Sequence, residues 1–105
     1  MKRYIVEITE DALADMEQLY NHIAFVLLSP ENTIGQYNRI ADEILKLDIF
    51  PERFRIVDSE FGHSNGMRRM PVDNYSIFYL VRENKVIVTN VLYSASDIEE
   101  RLKKE

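Results

Sequence analysis

The chain has 105 residues, a net charge of −5, 46% hydrophobic and 30% charged residues, and no cysteine. That is one domain's length with enough apolar content for a small core, and it excludes a disulfide framework, a thiolate metal site and a cysteine nucleophile. No apolar run reaches the roughly 18 residues of a membrane-spanning helix, and acids interrupt the basic start MKRYIVEITED before a signal-peptide core could form, so a cytoplasmic protein is expected.

The charge is uneven. Residues 1–50 carry four bases against nine acids, whereas residues 51–105 carry nine of each. Within 53–94 the six bases Arg53, Arg55, Arg68, Arg69, Arg82 and Lys85 outnumber four acids, so any basic surface comes from the second half. An acidic chain of this kind is poorly suited to binding nucleic acid unaided.

Taken in chain order, RYIVEI (3–8) is a short β-rich run ending at Thr9, a helix N-cap, with Glu10, Asp11 and Asp15 in and just beyond the first turn, on a solvated acidic face. Leu13, Met16, Leu19/Tyr20, Ile23 and Val26/Leu27 recur at helical spacing. Ser29 and Pro30 then cap and open a second helix, whose stripe is Ile34, Tyr37, Ile40/Ala41, Ile44/Leu45 and Leu47. Two such helices, so closely joined, predict a helical hairpin.

Phe50-Pro51 ends the helical part, and 51–66 read as a loop with one short extended piece. Three β-rich runs follow at 67–72, 75–82 and 85–94, separated by the two-residue turns Asp73-Asn74 and Glu83-Asn84. Strict alternation in the last run puts Ile87 and Val91 on one face and Val86, Val88 and Leu92 on the other, as in a central strand. Ser96 and Glu99 form a capping box for a terminal helix anchored by Ile98 and Leu102. The expected order is β-α-α-β-β-β-α in a single α+β domain spanning 1–105. The helical hairpin covers one face of an antiparallel sheet, and the other face, with the end of the last strand and the terminal helix, is the expected working surface.

The candidate functional residues are few. Arg68 and Arg69 must leave opposite faces of a strand, so at most one serves a single surface. They suit a phosphate, a partner contact or simply a solvated strand end. Tyr75 and Tyr79 fit core packing, while Tyr93 lies nearer a strand end. His22 and His63 lack carboxylate partners at ligand spacing, and no glycine-rich phosphate loop occurs, so neither a metal nor a cofactor is expected.

The stretches VEITEDALADMEQLYNHIA, LKLDIFPERFRIV, GMRRMPVDNYSIFYLV and KVIVTNVLYSASDIEERL together resemble, nearly end to end, the RelE/ParE superfamily of bacterial toxins. The helical hairpin and the FPERFR turn look more ParE-like. The resemblance implies the toxin of a type II toxin–antitoxin module, a plasmid stabilisation protein that arrests growth by inhibiting DNA gyrase and is neutralised by a cognate antitoxin. Operator DNA would be met only through that antitoxin, and the assembly would be a homodimer or hetero-oligomer. Arg68, Arg69, Arg82 and Tyr93 are the expected target or antitoxin contacts.

The superfamily also implies an alternative, a metal-free, ribosome-dependent endoribonuclease using Arg68, Arg69 and Tyr93. A third reading is an inactivated toxin that only binds its antitoxin. Such a nuclease needs a base for the 2′-hydroxyl, a cation at the phosphate and an acid for the leaving oxygen. Where nuclease relatives carry an arginine this chain has Ser76, and residues 94–96, often basic in relatives, are Ser-Ala-Ser. That leaves a cation and a phenol without an evident base.

Overall fold

The computed structural model describes residues 2–21, 30–57 and 66–93, with the backbone alone for 30–33. Strand β1 (Ile5–Ile8) runs into Thr9, whose hydroxyl accepts from the Ala12 N–H at 3.2 Å as an N-cap. Helix α1 (Glu10–Asn21) follows, and Pro30 opens α2 (Pro30–Leu45) where its missing N–H goes unneeded. Ser29 and the interhelical link lie outside the described residues, as do the 58–65 loop and the expected terminal helix. Two 3-10 turns, Lys46–Asp48 and Pro51–Arg53, lead on toward the strands β2 (Arg68–Val72), β3 (Tyr75–Arg82) and β4 (Lys85–Tyr93). Both expected hairpin turns form. Asp73 and Glu83, the first residue of each, take φ of 54° and 53°, the left-handed backbone that primed turns require.

The sheet order is β1-β4-β3-β2, so β4 is central as expected. β2, β3 and β4 form an antiparallel meander, but β1 pairs parallel to β4, making the sheet mixed rather than antiparallel throughout. Two helices separate β1 from the meander, so no tight turn forces it to reverse. The extended piece expected in the 51–66 loop is Ile56, which forms a single bridge with Arg68 on the outer side of β2.

The core lies between the helices and one face of the sheet. Ala12, Met16, Leu19, Ile40, Ile44 and Leu47 pack on Met70, Val72, Tyr75, Ile77, Tyr79, Val86, Val88 and Val91. Here the helical stripes differ from the expected ones. Leu13, Tyr20, Ile34 and Leu45 are exposed, while Ala12 and the carboxylate of Asp15 turn inward. Asp15 was expected on a solvated acidic face, and β4 supplies the reason for its burial.

β4 holds one residue more than β3 opposite it. Phe78 pairs with Asn90 and Tyr79 with Val88, so Thr89 is a bulge. The bulge overturns strict alternation: Val91 joins Val86 and Val88 in the helix-side core, and Leu92 joins Phe78 and Met67 in a second cluster on the opposite face. β1 ends at Ile8, level with Val88, and from there α1 and its cap meet the backbone of β4. Thr9 N–H donates to Val88 O (3.0 Å), the Thr9 hydroxyl donates to Thr89 O (3.3 Å), and Asp15 Oδ2 accepts from Val91 N–H (2.9 Å). A buried N–H left unmet costs more than a hydrogen bond gains, so a carboxylate is retained at an otherwise apolar position.

The face expected to be an open working surface is closed at its centre. Ser76, Phe78, Asn90 and Leu92 are all buried there. What stays accessible on it lies toward the edges.

Asp15→Ala leaves the Val91 N–H without its carboxylate acceptor and lowers stability by about 1–3 kcal/mol. Urea denaturation checks this, with Asp15→Asn restoring part of the loss because its amide oxygen can still accept.

Candidate functional site

The turn after α2 is built under constraint. Phe50 takes φ 48° and ψ 53° directly before Pro51, a left-handed conformation that is unfavourable for a bulky residue, and its side chain is 65% exposed. The surrounding groups hold it there. The buried Tyr79 hydroxyl donates to Pro51 O at 2.6 Å, and Arg68 Nη1 donates to Phe54 O (2.7 Å) and Glu52 O (3.2 Å). Tyr4 Oη donates to Glu52 Oε1 at 3.1 Å, and Arg53 Nη1 donates to Ile49 O (2.7 Å) and Phe50 O (3.0 Å). Arg68 therefore staples the FPERF turn onto β2.

The same surroundings tune two phenols. Burial pushes Tyr79 up to about 12, against the guanidiniums of Arg68 and Arg53, which pull it down, while Glu52 adds to the rise. Tyr75 is also raised, by burial first and then by Tyr93, whose ring lies 5.6 Å away centroid to centroid.

Arg69 leaves the opposite face from Arg68 and is exposed. Its Nε donates to Ser76 Oγ at 2.8 Å. Ser76 is the position where the resemblance implies an arginine, and the neighbouring strand lays a guanidinium over it. Arg69 also borders a groove of about 450 Å³ at the outer edge of β2. Arg53 and Arg55 complete its charged lining, and Phe54, Ile56, Val57 and Pro71 form its apolar walls. Arg53 and Arg55 were not among the sequence-derived candidates. The one available signal was the excess of bases over 53–94, and the loop reading of 51–66 did not place Arg53 in a 3-10 turn or Arg55 beside the Ile56 bridge.

The remaining candidates do not converge. Tyr93, exposed and in contact with the tilted ring of Tyr75, shares the helix-side face and lies at one end of β4. Arg82 pairs with Lys85 at the other end, roughly 23 Å away at 3.3 Å per residue. Arg68, Arg69, Arg82 and Tyr93 thus fall into separate places: a half-buried staple, a groove, a hairpin tip and a strand end. Among the described residues no three His, Asp or Glu side chains gather as metal ligands. His22, His63 and residues 94–96 lie outside the described residues.

Arg68→Ala removes two bonds to carbonyls and lowers stability by about 1–3 kcal/mol. Arg69→Ala, which removes one bond to a hydroxyl at an exposed position, has a smaller effect, and the urea midpoints of the two variants make the comparison. Tyr79 prefers its neutral form when folded, so its contribution is complete below about pH 10 and is lost as pH rises toward 12. Over that interval the chain loses up to about 2.5 kcal/mol, and Tyr79→Phe flattens the slope in an alkaline denaturation series.

Solved structures share this fold, two of them from toxin–antitoxin systems. One is from the chromosomal ParDE toxin–antitoxin system of P. aeruginosa (TM-score 0.73, 18% identity, covering 87% of this chain and 96% of that one). The other is from the toxin–antitoxin complex RelBE2 of Mycobacterium tuberculosis (TM-score 0.64, 18% identity, covering 91% of this chain and 97% of that one). No curated protein matches the chain in sequence. A family model described as the ParE toxin of the type II toxin–antitoxin system parDE matches residues 6–98, which is nearly the whole chain. The chain belongs to that family and is a ParE-type toxin of a type II toxin–antitoxin system.

Proposed function

We propose that this toxin arrests growth by binding and inhibiting DNA gyrase, and that a cognate antitoxin neutralises it. The observation that carries this reading is the dispersal of the cations and phenol a nuclease would have to bring together. Arg68 is committed to the carbonyls of Glu52 and Phe54, while Arg69 and Tyr93 leave opposite faces of the sheet. A general base, a phosphate-binding cation and an acid must all lie within hydrogen-bond reach of one phosphodiester. A protein target asks only for a shaped and charged surface. Both structural relatives come from toxin–antitoxin systems, which supports an antitoxin as partner.

One observation favours ribosome-dependent RNA cleavage as a second reading. Arg69 lies over Ser76, where the nuclease branch is expected to carry its arginine, so a cation is present there by another route. A toxin that has lost its activity and retains only the antitoxin contact is the third reading.

Pulse-labelling of DNA and protein synthesis in bacteria, minutes after induction of the chain without an antitoxin, separates these. Gyrase inhibition predicts that DNA synthesis falls first and translation follows late. Translation stopping first supports the nuclease instead, and no change in either leaves only antitoxin binding.

A further inference from the structure

Phe50 occupies a backbone position that a glycine would fill without strain. Its φ of 48° and ψ of 53° lie in the left-handed region, where Cβ crowds the carbonyl oxygen, and Pro51 adds a further clash. The bonds that hold this conformation run through main-chain oxygens. Arg53 N–H (3.2 Å) and Arg53 Nη1 (3.0 Å) donate to Phe50 O, and the Tyr79 hydroxyl donates to Pro51 O at 2.6 Å. None of them needs the ring. That ring is 65% exposed, and among the described residues no aromatic group or cation stacks on it.

The fold thus fixes the backbone of Phe50 and leaves its side chain unused. Strain kept at a position that internal packing does not need points to a use outside the molecule. Beside the ring lies an open cavity of about 330 Å³, whose other lining residues are Lys46, Asp48, Ile49 and Arg53. An aromatic side chain projecting from a rigid turn, with charged groups around it, has the anatomy of an interface hot spot: an apolar anchor inside a polar rim. Because the turn is already fixed, little ordering remains to be done on binding.

The shape of the feature selects its occupant. A second copy does not suit it, because the cavity beside that copy's Phe50 is walled by Lys46, Asp48 and Arg53, and an entering ring would strip water from charges. A segment that orders on binding lays its own apolar side chains into a groove and offers no preformed hole to a projecting ring. A folded protein with an apolar pocket does. We propose that Phe50 is the anchor by which the toxin holds its growth-arrest target, a folded protein whose apolar pocket receives the ring. The inference rests on the protein-target reading of the toxin and adds the residue that makes the contact.

Phe50→Gly and Phe50→Asn keep the left-handed turn at lower strain and remove the ring. Each is induced over a range of levels in bacteria without an antitoxin, beside the unaltered chain, and DNA synthesis is followed by pulse-labelling. The unaltered chain and Phe50→Tyr cut DNA synthesis. Phe50→Gly and Phe50→Asn need at least about tenfold more protein for the same effect. Leu13→Gln, which removes a similarly exposed apolar side chain from α1, behaves as the unaltered chain. The urea midpoints of purified Phe50→Gly and Phe50→Asn match or exceed that of the unaltered chain, so lost arrest is not lost folding. A Phe50→Gly chain that arrests as fully as the unaltered one, an equal loss in Leu13→Gln, or a midpoint that falls in both ring-less variants overturns the proposal and leaves the toxin reading intact. An unaltered chain that does not lower DNA synthesis overturns the protein-target reading, and the anchor with it.

Discussion

The Thr9 hydroxyl and the Asp15 carboxylate close on β4 where Thr89 interrupts its pairing with β3. Much of the architecture depends on that junction. The bulge turns Val91 toward the helices and Leu92 away from them, so one strand serves an apolar cluster on each face. α1 begins where β1 ends, and its cap and Asp15 meet the Thr89 carbonyl and the Val91 amide that β1 does not reach. The helix cap, the helix's inward carboxylate and the irregular strand are one device.

Elements with local causes were the legible ones. Thr9 as a cap, Pro30 as a helix start and the two-residue turns at Asp73 and Glu83 follow from short-range sterics and hydrogen bonding, and all form where the residues place them. The features that stayed hidden are set by distant partners. Asp15 is indistinguishable in sequence from Asp11 until a freed amide 76 residues away claims it. The bulge falls inside an unbroken run, KVIVTNVLY, that reads as plain alternation. Arg55 and Arg69 become neighbours only through a single bridge at Ile56, which no periodicity announces.

Arg68 and Arg69 show how adjacent identical residues acquire different work. Strand geometry sends Arg68 into the carbonyls of the 52–54 turn, where its charge supports a backbone conformation that Phe50 makes costly. It sends Arg69 to the accessible face, where its nearest polar neighbour is a serine hydroxyl. The first arginine shapes the turn that carries Arg53 and leads into Arg55; the second faces them across the groove.

The parallel pairing of β1 with β4 has a consequence in time. Residues 5–8 are made well before their partners, residues 85–88, so the first strand must wait for the whole meander to reach β4 before it can pair. Closing so wide a loop carries its entropic cost before any contact rewards it. A nascent chain stopped short of Val88 lacks both the partner of β1 and the acceptor that locks the Thr9 N–H. Completion of the sheet is therefore a late event in the life of each molecule, and a truncated product cannot assemble it.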